Sequence, residues 1–159
     1  MKTLKVLSAL ISYPTVELTA AASELRGVLA VEGLLPKPIR ADIEALIDDI
    51  AGADLLDAQE RYILLFDRTR SLSLHLFEHV HGESRDRGQA MVELLKLYSA
   101  HGLELTAKEL PDHLPVFLEF LSTLPDAEAS LGDTVEVDIR GRRGSAQVVR
   151  PPFVERTPR

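Results

Sequence analysis

In KPIRADIEALIDDIAG (37–52) the apolar residues Ile39, Ile43, Leu46, Ile47 and Ile50 recur at three- and four-residue steps. That is the 3.6-residue period of a helix with one face turned to a core. The stripe follows Pro38 and stops at Gly52. A half-buried strand would alternate every second residue, and this segment does not.

Outward from there, the helical pattern continues. On the N-terminal side, Leu4, Leu7, Leu10 and Ile11 follow helical spacing until Pro14, and residues 16–31 form a weaker, alanine-rich helix. On the C-terminal side, Asp54 is placed to cap a helix with Leu55, Tyr62, Ile63 and Phe66 inward. From Asp67 to Ser84 no long period holds. SLSLHLF (71–77) alternates like a strand, but its helical neighbours favour a short helix or turn. Ser84 is expected to cap a helix carrying Met91, Leu94, Leu95 and Tyr98, which Gly102 closes as a left-handed cap. Thr106 and Glu109 have capping-box spacing. Asp112 is then expected to cap a last helix, with Leu114, Phe117, Leu118, Leu121 and Leu124 on one face and Pro125 at its end.

The expected organisation is therefore a helical domain over 1–128 and a different tail over 129–159. In the tail, Val135, Val137 and Ile139 alternate with Glu136, Asp138 and Arg140; the turn GRRG and then AQVV follow. That is a β-hairpin pattern. A lone hairpin is marginal in water and needs another surface to cover it.

Composition narrows the function. The 159 residues suffice for one domain with a real core. Tryptophan is absent, so Leu, Ile, Val and Ala must build that core. With no cysteine, disulfides, thiolate zinc sites and cysteine-held iron–sulfur clusters are excluded. The apolar N-terminal stretch is interrupted by Ser8, Ser12 and Tyr13 and is too short to span a bilayer. A cytoplasmic protein that is not integral to the membrane is expected. The formal charge is −7. An acidic body argues against nucleic-acid binding, which needs a basic footprint, and suits a basic peptide.

The densest polar cluster is FEHVHGES (77–84), with His75 before it and Arg85-Asp86-Arg87 after it. Were 75–81 helical, His75 and His79 would share a face as two metal ligands can, with His81 and a carboxylate of Glu78 or Glu83 nearby. The HExxH order of a zinc enzyme is missing, and Gly82 breaks any helix there. No nucleophile elbow, phosphate loop or dinucleotide fingerprint occurs. The mixture of Glu78, Glu83 and Asp86 with Arg68, Arg70, Arg85 and Arg87 instead fits an adaptable polar interaction surface.

YILLFDRTRSLSLHLFEHVHGESRDRGQAMVELL (62–95) and HGLELTAKELPDHLPVFLEFLSTLP (101–125) resemble the NarJ-type nitrate reductase assembly chaperones, of the TorD-like redox-enzyme chaperone family. With the N-terminal helices and LDAQERY, the resemblance covers about residues 1–128. It implies an all-α bundle of TorD-like type, here truncated and ending in the hairpin-like tail. It implies no enzyme and no cofactor of its own. The expected partner is the apo catalytic subunit of nitrate reductase, including its N-terminal peptide, held until the molybdenum cofactor is inserted and membrane docking follows. Contact with cofactor delivery proteins and a homodimer are further expectations.

Phe66, Asp67 and Arg68 and the run from Arg70 to Met91 match the signature, and Glu109, Asp112 and His113 fall on the wider family's acidic-x-x-Asp-His motif. There Leu110 intervenes before Pro111, where the family often has proline directly after the acid. Partner binding is accordingly expected at Phe66, Arg70, Leu74, Phe77, Glu78, His79, His81, Glu83, Arg85, Asp86, Arg87, Asp112, His113 and Glu119. The alternative is a small metalloprotein or enzyme using His75, His79 and His81, or an inactive truncated fusion. The tail, GDTVEVDIRGRRGSAQVVRPPFV, resembles the last strands of glycine-cleavage T-protein-like aminomethyltransferases; none of that family's folate-binding body is present, so no methyltransferase role follows.

Overall fold

The computed structural model describes residues 1–80, 86–105 and 109–124, and the backbone of 134–139 and 142–147. It divides into two compact units, Met1–Thr123 and Leu124–Arg159.

Among the described residues of the first unit, the regular elements are helices and one bridge. In order the helices run α1 (Lys2–Leu10), α2 (Val16–Ala20), α3 (Ala22–Glu32), α4 (Lys37–Gly52) and α5 (Leu55–Tyr62). A π turn (Ile63–Asp67) and a 3-10 turn (Arg70–Leu72) follow, then α6 (Leu76–Val80), α7 (Asp86–Ala100) and α8 (Leu114–Thr123). The expected 16–31 helix is two helices. They break at Ala21, whose φ −80 and ψ 0 sit outside the helical well, and the second extends to Glu32. Thr15 caps the first by accepting from the Leu18 amide, and Gly33 closes the second at φ 62.

The core lies where α1, α3 and α4 meet. Val6, Leu10, Leu29 and Ile47 are buried there, with Leu25, Val28, Ile43 and Ile50 packed against them. The stripe of α4 thus enters the core through Ile43, Ile47 and Ile50, while Ile39 and Leu46 remain exposed at its flank. α1 also packs along α8. Its start is tied down at a distance. The Lys2 and Thr3 amides donate to the two oxygens of Glu32 at 2.6 and 2.7 Å, and the Met1 ammonium donates to the Ser122 carbonyl at 3.1 Å. A carboxylate from another helix thus satisfies donors that a helix start leaves free.

A smaller cluster joins α7 to α8. Tyr98 packs on Phe120 with ring centroids 4.8 Å apart, and its hydroxyl donates to the Pro111 carbonyl at 2.8 Å. Burial pushes the Tyr98 phenol up to about 12. Phe120 is the buried aromatic of α8, while Leu114, Phe117, Leu118, Leu121 and Leu124 of the expected face are half-buried. In the second unit, β1 (Thr134–Ile139) pairs antiparallel with β2 (Arg142–Gln147), with Val135 opposite Ala146 and Ile139 opposite Arg142. Arg142, Arg143 and Gly144 are therefore strand residues, not a four-residue turn. Only residues 140 and 141 separate the strands, the commonest hairpin spacing. Val148 and Val149 lie outside the described residues.

Candidate functional site

The site starts where α5 loses its regular pitch. The Arg68 amide donates to the Ile63 carbonyl at 3.0 Å, a five-residue step that widens the last turn. Tyr62 and Phe66 then lie on one side, 4.9 Å apart, and Tyr13 meets Tyr62 edge-on at 5.4 Å. This aromatic wall borders an open cleft of ≈ 930 Å³.

SLSLHLF contributes Ser73, Leu74 and His75 to the same cleft. Its strand-like alternation is used, but only briefly. The Leu114 amide donates to the Leu74 carbonyl at 2.8 Å, the Leu76 amide to the Asp112 carbonyl at 3.0 Å, and His75 forms a single antiparallel bridge with His113. The His75 and His113 rings sit 5.3 Å apart. After this contact the chain turns into α6.

Asp112 does not cap α8 as expected. The first amide of α8, Leu114, is already taken by Leu74, and the next residue, Pro115, has none. The Asp112 carboxylate, wholly buried, turns to α6 instead. It accepts from the Phe77 amide at 3.1 Å, meets His75 Nδ1 at 3.3 Å, and has the Arg87 guanidinium of α7 at 3.7 Å. Arg87 also donates to Glu78 at 3.3 Å. A hydrogen bond from the Ser73 side chain and the nearby Arg87 cation hold the Glu78 carboxyl below its usual range. Burial holds the His113 imidazole below its usual range, against the opposing pull of Glu109 at 4.0 Å. Its Nδ1 is buried with no hydrogen-bond partner.

Of the residues singled out from sequence, Phe66, Arg70, Leu74, Glu78, Arg87, His113 and Glu119 line the cleft. Phe77 and Asp112 do not; Asp112 stands behind the wall. Exposed His79 and Asp86 are outside the lining, and the His79 ring meets the Ser73 carbonyl at 2.8 Å. His81, Glu83 and Arg85, with Ser84 and Thr106, lie outside the described residues. His75 lines the cleft but is turned to Asp112, so its Nδ1 and the Nε2 of His79 each meet a protein oxygen. Among the described residues, no three His, Asp or Glu side chains stand close enough to share a metal ion. Tyr13, Tyr62, Asp67 and Glu109 also line the cleft and were not among the residues expected to bind a partner. Asp67 was marked by the signature match, and Glu109 by its spacing from Thr106 and by the acidic-x-x-Asp-His motif. Tyr13 gave none beyond being a polar interruption.

The profile of the nitrate reductase delta subunit family matches residues 32–144. The chain belongs to this family. The matched span carries the π turn, α6, Asp112 and most of the cleft. Over 129 residues the chain is 50% identical to the nitrate reductase molybdenum cofactor assembly chaperone NarJ of Escherichia coli, covering 81% of this chain and 55% of that protein. The chain thus spans about half the length of the curated relatives it matches. A solved structure from Archaeoglobus fulgidus, assigned to redox enzyme maturation, superposes with a TM-score of 0.53 at 25% identity, covering 75% of this chain and 67% of that one. The helical unit therefore has the all-α fold of the redox-enzyme chaperones. Over 36 residues the chain is also 61% identical to an aminomethyltransferase of Frankia alni, 23% of this chain and 10% of that protein. No helix among the described residues of this delta-subunit-family chain is long and apolar enough to cross a membrane.

Proposed function

We propose that this chain is an assembly chaperone for respiratory nitrate reductase. It binds the apo catalytic subunit, including that subunit's N-terminal peptide, and holds it in the cytoplasm while the molybdenum cofactor is inserted. The observation that carries this is the cleft itself. It is open, walled by Tyr13, Tyr62 and Phe66 on one side, and lined by four carboxylates, Asp67, Glu78, Glu109 and Glu119. Of these groups, Glu78 is paired with Arg87, which buried Asp112 also holds, and Glu119 meets Lys5 at 3.6 Å. Such a surface suits an amphipathic basic peptide, with apolar side chains on the aromatic wall and cations toward the acids.

Calorimetric titration with a synthetic N-terminal peptide of a nitrate reductase catalytic subunit tests this. Saturable binding that weakens as salt rises supports it, because exposed charges are screened over ~8 Å at physiological ionic strength. No heat and no NMR shift changes at high peptide concentration would sink it. Self-association belongs to the same proposal. Val92, Leu95 and Leu97 of α7 and Ile39 and Leu46 of α4 are exposed apolar side chains that a second copy would cover. Light scattering at micromolar concentration should show a dimer; a strict monomer removes this part.

A further inference from the structure

Asp112 is the most deeply buried charged side chain among the described residues, and it does not face the cleft. Its contacts have one thing in common: they fix α6. That helix has five residues, far too short to hold itself in water. Its first three amides are all satisfied, Leu76 by the Asp112 carbonyl, Phe77 by the Asp112 carboxylate and Glu78 by the His75 carbonyl. Two of the three thus come from one residue some thirty-five positions later. The same carboxylate meets the His75 ring and draws in Arg87 from α7, which in turn holds Glu78. His75, Glu78 and Arg87 all line the cleft.

We propose that Asp112 is a positioning residue: it caps α6 from across the fold and sets the charged wall of the cleft without touching the partner. Resting on the peptide-binding reading above, this predicts that peptide affinity depends on the Asp112 oxygen that takes the Phe77 amide and not on the Asp112 charge. Neutral Asp112→Asn keeps that oxygen at the same place. Asp112→Ala removes it, a loss of the size seen when a capping side chain is deleted.

The experiment uses the full chain and compares hydrogen exchange at the Phe77 amide, peptide affinity and thermal midpoint. Asp112→Ala should raise Phe77 exchange and weaken peptide binding, each roughly tenfold. Asp112→Asn should rescue both to within about threefold. If Asp112→Ala does not fold, Asp112→Ser takes its place, since its shorter side chain withdraws the acceptor. The proposal is overturned by unchanged Phe77 exchange in a folded Ala or Ser variant. It is overturned equally by Asn weakening the peptide as much as Ala does, because the Asp112 charge, and not the acceptor at the Phe77 amide, would then set the affinity. Faster exchange with full affinity also defeats it, because α6 would then not matter to the partner. If the wild-type protein ignores the peptide, the functional reading fails, while Phe77 exchange still decides whether Asp112 holds α6.

Discussion

The corner where α1, α3 and α4 meet and the junction where α6 and α7 meet the start of α8 are built on opposite principles. The first is aliphatic: Val6, Leu10, Leu29 and Ile47 fill it, and no charged side chain belongs to that cluster among the described residues. The second is organised around a buried carboxylate, with two imidazoles and a guanidinium beside it. Apolar burial is non-directional and tolerates small shifts, whereas a buried charge demands partners at defined distances. The difference suggests a division of labour. The apolar corner supplies stability, and the polar junction fixes which groups face the cleft.

The largest expected effect breaks the first half of that contrast. Leu29 is 1% exposed, so Leu29→Ala should cost about 2–5 kcal/mol, the range for deleting a core leucine. Urea unfolding measures it. At temperatures where the variant stays folded, peptide affinity should be unchanged. A matching loss of affinity would mean that the two regions are not separable.

A smaller effect is expected at the polar junction. Tyr98→Phe deletes the hydroxyl that donates to Pro111, next to Asp112. About 1 kcal/mol should be lost, the usual worth of one buried hydrogen bond. The alkaline titration of tyrosine should lose its step near 12. A variant as unstable as Leu29→Ala would show the junction to be a second core.

The smallest effect is a pH dependence that sharpens the comparison, since the apolar corner has nothing to titrate. His113 faces Glu109, His75, Asp112 and Asp67, and burial outweighs the acids to hold its imidazole below the usual range. Its folded pKa thus lies below the unfolded value of ~6.5. Between the two, the unfolded chain binds more protons, so stability rises with pH through that window. The His113 contribution is present above about pH 6.5 and lost as pH falls through the folded pKa. Urea midpoints compared at about pH 7.5 and about pH 5.5 should differ less in His113→Gln than in the wild type. An identical difference would assign the acid sensitivity elsewhere.

The apolar corner was legible because its residues report on themselves. Ile43, Ile47 and Ile50 repeat every turn, and a helix has only one way to bury such a stripe. Caps within a few residues were legible for the same reason. Asp54 accepts from Leu56, and Gly102 takes a left-handed φ of 73. Finer local detail was not. Nothing in an alanine-rich run marks Ala21 as the break between α2 and α3, because a one-residue interruption barely changes propensity. Part of the cleft was legible in the chain as the signature run around residues 66–87, yet the roles of its residues were not.

The sequence by itself thus determined the helical class of the first unit, the hairpin pattern and the signature segment, since period, turn chemistry and charge act over a few neighbours. Only the tertiary structure decided what Asp112 and Glu32 do. As a local signal Asp112 reads as a cap for the helix that follows it, but Leu74 has already taken that helix's first amide, and the carboxylate serves α6 instead. Glu32 ends one helix and caps the start of α1. A free amide is satisfied by whichever acceptor the fold brings near, and sequence distance does not enter that choice.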